Sequence, residues 1–114
     1  MVWHLVLMKP RADLAAADAE ALIAALRRAV DAIPAVRELR VGRRVVHGAD
    51  YEKIAPDSAV FMVSLGFDDL AALQTYLRHP AHEELSARFY RSLSSALVYD
   101  FEGGGIGELE KLVS

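Results

Sequence analysis

The chain has no cysteine. Disulfides, thiolate nucleophiles and cysteine metal sites are excluded together. No apolar run approaches the roughly 20 residues that a membrane-spanning helix needs, so no membrane role is expected. Positive charge is not in excess either, with 13 Lys and Arg against 16 Asp and Glu and a net charge of −3. A nucleic-acid partner calls for a concentrated basic face, so none is expected. Met1-Val2-Trp3-His4-Leu5 places no basic stretch ahead of an apolar core. It does not read as a signal peptide, and the expected address is cytoplasmic. Prolines number only four, which makes each of them informative. What is present, in 114 residues, is 54 % hydrophobic and 25 % charged. That is the composition and size of one globular domain with one core.

The most informative proline is Pro80, within Tyr76-Leu77-Arg78-His79-Pro80-Ala81-His82. Proline lacks an N–H and its ring clashes with the preceding turn, so a helix must stop near His79. A second helix can then begin with Pro80 at its first position. A phenol and two imidazoles are thereby gathered at one corner, and imidazole titrates near neutrality.

Alternation over Val2–Met8 predicts a strand with Trp3, Leu5 and Leu7 on one face and Val2, His4, Val6 and Met8 on the other. Both faces are largely apolar, so both need cover. A helix follows, capped by Asp13 or Asp18, with Leu22, Ile23, Leu26, Val30 and Ile33 on one stripe up to Pro34. Residues 36–47 read as a long irregular strand with a bulge at Gly42, and residues 48–57 as a loop. Ser58–Phe67 is a further strand, after which Asp68 is expected to cap a helix carrying Leu70, Leu73 and Leu77. Beyond the His-Pro break, Leu85, Phe89 and Leu93 mark a shorter helix, and Ala96–Phe101 the last strand. The order β-α-β-β-α-(α)-β matches a ferredoxin-like split βαβ arrangement in the α+β class. Helices on one face leave an apolar sheet face in water, which a homodimer joined through its sheet faces would cover.

His4-Leu5-Val6-Leu7, Ile33-Pro34-Ala35-Val36, Phe67-Asp68-Asp69-Leu70, the stretch Tyr76–His82 and Val98-Tyr99-Asp100-Phe101 occur in an order and spacing that resemble one family. That family is the stress-responsive A/B barrel domain, a group of dimeric α/β barrels, and the resemblance spans residues 1–101. It implies a sheet-to-sheet dimer. The family includes a plant polyketide cyclase that works by aldol condensation without a cofactor. Carried over to this chain, its working residues fall on His4, Tyr76 and His82. Enolising a carbon between two carbonyls needs a base of near-neutral pKa, which a neutral His82 would be. Tyr76 or His4 could donate to the oxyanion that forms. Structural roles stand beside these. His79 can cap the ending helix, His82 can bond a loop carbonyl, and Tyr76 can be a core tyrosine.

The four histidines show no metal-ligand spacing, and no residue points to a cofactor. Arg40, Arg43 and Arg44 read as the charge guard of an edge strand. Residues 102–114 form a Gly-rich tail whose Gly103-Gly104-Gly105 lacks the Lys-Ser/Thr of a phosphate loop and reads as a hinge. Ile106, Leu109, Leu112 and Val113 give that tail an apolar edge, which can lie on its own domain or on a partner subunit. The expectation is a homodimer that binds an apolar small molecule in a cavity. The alternative is a cyclase-like enzyme with His82 as base. A pocket on which His4, Tyr76 and His82 converge favours the enzyme, and scattered side chains favour the binder.

Overall fold

The four prolines fall at element ends or in connections. In the computed structural model, which describes residues 1–113, Pro10 is the last residue of β1 (Val2–Pro10), and Pro34 lies just beyond α1 (Ala16–Ala32). Pro56 sits in the connection between β2 (Glu38–Arg43) and β3 (Phe61–Phe67), and Pro80 separates α2 (Leu70–Arg78) from α3 (Pro80–Ser92). β4 (Leu93–Glu102) completes the sheet. The strands lie in the order β2-β3-β1-β4, every neighbouring pair antiparallel. This is the α+β, ferredoxin-like βαββαβ architecture with one additional helix. None of the described helices is long and apolar enough to cross a membrane.

Several boundaries differ from the sequence expectation, each for a local reason. β2 stops at Arg43, and Gly42 is in regular register opposite Met62; the irregularity lies instead at Lys9/Pro10 against β4. Proline cannot donate to the ladder, so the bulge forms there. The connection between β2 and β3 includes a 3₁₀ turn at Asp50–Lys53. Neither Asp13 nor Asp18 caps α1: its N-cap is Ala15, Asp13 pairs with Arg11, and Asp18 lies in the first turn. Asp69 rather than Asp68 caps α2, its carboxylate accepting the Ala72 N–H at 2.9 Å, while Asp68 pairs with Arg37. Leu93 opens β4 instead of closing α3.

Pairing fixes which strand residues share a face. His4 lies opposite Leu65 and Asp100, and Val6 opposite Val63 and Val98. These residues face the helices, over a core that includes Val2, Val6, Leu65, Phe67, Leu73 and Tyr76. α1 packs along α3 and buries Ala25 and Ala29 completely, and Arg28 forms an ion pair with Glu84 between the two helices. Small alanines permit close approach of the helices. The leucine stripe of α1 is only partly buried, because Leu22 and Leu26 look into a cavity. The opposite sheet face carries three apolar cross-strand pairs, Trp3–Phe101, Leu5–Tyr99 and Leu7–Leu97. Trp3, Leu97, Tyr99 and Phe101 are all substantially exposed in the protomer.

Candidate active site

Between the helices and the sheet lies a cavity of about 520 Å³ that reaches all four strands. Along β1 it is lined by His4, Val6, Met8 and Pro10, a stretch of about 20 Å at strand rise. α1 contributes Leu22 and Leu26, and α3 contributes Leu85, Ser86 and Phe89. Among the described residues, no Lys, Arg, Asp or Glu lines it. Its polar groups are few, and His4, Tyr76 and His82 are grouped together.

Each of the three is placed by a different device. His4 is set by strand alternation on the helix-facing side of β1, where it is 8 % exposed. Tyr76 is in the last turns of α2 and is 1 % exposed, its ring 5.2 Å from that of Phe67. His82 is carried by the first turn of α3, whose start Pro80 dictates. The ring centroids of Tyr76 and His82 are 4.8 Å apart at an edge-on inclination, and those of His4 and Tyr76 are 6.1 Å apart. The phenol ring therefore neighbours both imidazoles. All three residues share the cavity, with His4 on the helix-covered face as expected from alternation.

Burial explains the titration of Tyr76 and His82. It pushes the Tyr76 hydroxyl up to about 12, so the phenol stays protonated and able to donate at neutral pH. Burial also pulls His82 below the usual histidine value of 6.5, helped by the neighbouring His4 and opposed by a backbone hydrogen bond at Leu77 and by Glu83. His82 is therefore neutral at pH 7. A neutral imidazole keeps one ring nitrogen as an acceptor, whichever of the two carries the proton. That acceptor nitrogen is what a general base requires.

Asp100 joins the group without having been singled out in the sequence. Its Oδ1 accepts a hydrogen bond from His4 Nδ1 at 2.6 Å across the β1–β4 pairing. The carboxylate fixes the His4 tautomer and leaves Nε2 as its other polar atom. A carboxylate two residues after Val98 in an apolar strand was the available signal, but only the register shows that it meets His4. Ser86, one turn beyond His82, was likewise not picked out.

The other two histidines do not join. His79 accepts the Ala81 N–H on Nδ1 at 3.0 Å, so its ring caps the start of α3, while its backbone N–H bonds the Tyr76 carbonyl and closes α2. His47 bonds the Tyr51 hydroxyl at 2.8 Å in the exposed β2–β3 connection. Among the described residues no set of His, Asp and Glu is arranged to hold a metal ion.

A sequence family described as the Stress Responsive A/B Barrel Domain matches residues 2–103. Among solved structures, a protein of Arabidopsis thaliana is similar at TM-score 0.76 and 23 % identity, with 93 % of this chain and 98 % of that one covered. A hydroxynitrile lyase from Passiflora edulis is similar at TM-score 0.76 and 16 % identity, over 90 % of this chain and 93 % of that one. A dimeric ferredoxin-like protein of unknown function from Jannaschia sp. CCS1 reaches TM-score 0.71 and 25 % identity, over 90 % and 98 %. At such identities the likeness is one of fold. No curated protein matches the chain significantly in sequence.

Proposed function

We propose that this chain, which belongs to the Stress Responsive A/B Barrel Domain family, works as a homodimer that binds a neutral, largely apolar carbonyl compound and moves a proton on it. The observation that carries this reading is the convergence of His4, Tyr76 and His82 in one largely apolar cavity. A cavity without fixed charge disfavours anionic ligands, since nothing repays their desolvation. An aliphatic chain fits the run from Val6 to Pro10, which leaves a polar head at His4, Tyr76 and His82. Fold alone carries no activity. That a hydroxynitrile lyase is built on a similar scaffold supports the view that this scaffold can house chemistry.

The roles follow from the protonation states. Neutral His82 takes a proton from a carbon between two carbonyls, and the C–H electron pair passes to the carbonyl oxygen. Tyr76 donates its O–H to that oxygen as negative charge develops. His4, oriented by Asp100, is a second group able to contact the head. His82 then returns the proton to carbon, or the enolate attacks a second carbonyl in an aldol closure of the cyclase type. In this reading the exposed Trp3, Tyr99 and Phe101 are covered by a second copy of the chain, as the dimeric state of similar structures supports. The barrel domain comprises residues 1–101, residues 102–114 form a tail, and the protein acts in the cytoplasm.

The test needs no knowledge of the natural substrate. A neutral 1,3-diketone with a medium-length alkyl chain is incubated with the protein in D₂O, and loss of its central C–H signal is followed by NMR. Acceleration above buffer, saturating with diketone, is expected. Exchange at the buffer rate with no binding overturns the reading. Saturable binding with no acceleration leaves a binding protein, and the catalytic half falls.

A further inference from the structure

We propose that residues 104–113 form an arm that packs on a second copy of this chain, extending the sheet-to-sheet contact; the inference rests on the homodimer in the reading above. The arm lies beyond the family match, which ends at residue 103. It is mostly one 3₁₀ segment, Ile106–Leu112. Side chains at i and i+3 eclipse in a 3₁₀ helix, so Ile106, Leu109 and Leu112 stand in one row. Runs longer than three or four residues are uncommon for this helix and call for outside support. The apolar row itself stands clear of its own protomer: Ile106 is 87 %, Leu109 60 % and Leu112 82 % exposed.

The exit of the arm directs it. The Gly103 N–H bonds the Met1 carbonyl at 2.8 Å, and a β-carbon at Gly103 would stand 2.5 Å from Trp3 Cζ3. Glycine is needed there because the backbone passes over the indole, and Trp3 with Phe101 belongs to the outward apolar sheet face. The row of apolar side chains therefore leaves from the rim of the face that a second copy would cover, and the two apolar surfaces adjoin. The shape of the protomer agrees. Its radius of gyration is 15.8 Å, against about 13 Å for a compact domain of roughly 100 residues. Charge argues for a protein bed over a lipid surface, since the arm carries Glu108 and Glu110 against Lys111 alone, and anionic membranes select basic segments.

Two experiments on the full-length chain test this. Benzoylphenylalanine is placed at position 109 and a mixture of ¹⁴N- and ¹⁵N-labelled chains is irradiated. Cross-linked peptides carrying both labels are expected, and peptides of a single label overturn the proposal. In sedimentation, the double variant Leu109→Ser, Leu112→Ser is expected to raise the dimer dissociation constant about tenfold or more, as loss of two buried leucines implies. An unchanged constant counts against the arm while leaving the dimer intact. A parent chain that sediments as a monomer at micromolar concentration overturns both the arm and the homodimer.

Discussion

Replacing His82 by alanine is expected to slow diketone exchange by about 10²- to 10⁴-fold, the usual contribution of a positioned general base. The melting temperature should move only slightly, because His82 is partly exposed and its backbone N–H bond to the His79 carbonyl survives the substitution. His82→Gln separates the two roles. Glutamine keeps a polar, hydrogen-bonding side chain of similar reach but cannot accept a proton near neutral pH. It should therefore keep the stability of the parent and share the slow rate of the alanine variant. Tyr76→Phe is expected to cost about 10²- to 10³-fold, as for loss of one oxyanion donor. Its ring would still pack against Phe67 at 5.2 Å, which separates the loss of a donor from loss of core. If His82→Ala lowers stability sharply and leaves exchange intact, the imidazole is part of the scaffold. Rates from NMR and melting from circular dichroism decide this.

A second large effect is expected on the opposite side of the sheet. Leu5 is paired with Tyr99 on the outward face, between the Trp3–Phe101 and Leu7–Leu97 pairs. In the homodimer reading, Leu5→Asp places a carboxylate at the centre of an apolar contact. An unpaired buried charge costs several kcal/mol, so the dimer dissociation constant should rise by about 10³-fold or more. In the isolated protomer the same residue faces outward, away from Val6, Leu65 and Phe67, so the far-ultraviolet spectrum should stay near that of the parent. Sedimentation equilibrium of parent and variant measures the effect. A variant that remains as tightly associated as the parent contradicts the use of this face.

The outline of the fold was legible because it rests on local rules. Pro80 had to stop one helix and could begin another, and it does both. Alternation in Val2–Met8 separated His4 from Trp3, Leu5 and Leu7, and that separation matches the burial along β1. Finer points failed where two residues could serve equally well. Asp68 and Asp69 are adjacent candidates for one cap, and tertiary pairing of Asp68 with Arg37 leaves the cap to Asp69. The apolar stripe of α1 is divided: Leu22, Ile23 and Leu26 border a cavity, Ile33 is buried, and Ala25 and Ala29, off the predicted stripe, are buried completely. Apolar spacing identifies a face; it does not say whether side chains or empty volume lie opposite. The candidate site was legible in part for the same reason. Residue types and the His-Pro corner pointed to His4, Tyr76 and His82, whereas Asp100 depended on the β1–β4 register, which no local pattern encodes. His79 is the capping residue that its place before Pro80 suggests: its backbone closes α2 and its ring caps α3.

The central claim is that one neutral imidazole in this cavity takes the substrate proton, and the pH dependence of exchange tests it most directly. Burial depresses the folded-state value of His82 below 6.5, so the base form persists into mildly acidic solution. The sign also fixes a stability trend. The unfolded chain binds the proton more readily, so the contribution of neutral His82 is fully present above 6.5 and is lost as pH falls through the depressed value. The rate of diketone exchange, corrected for buffer, should follow a single ionisation whose midpoint lies below 6.5. That midpoint should coincide with the titration of the His82 ring protons observed by NMR, and the inflection should vanish in His82→Gln. An exchange rate that rises with hydroxide without an inflection, or one whose midpoint departs from the His82 titration, contradicts the account.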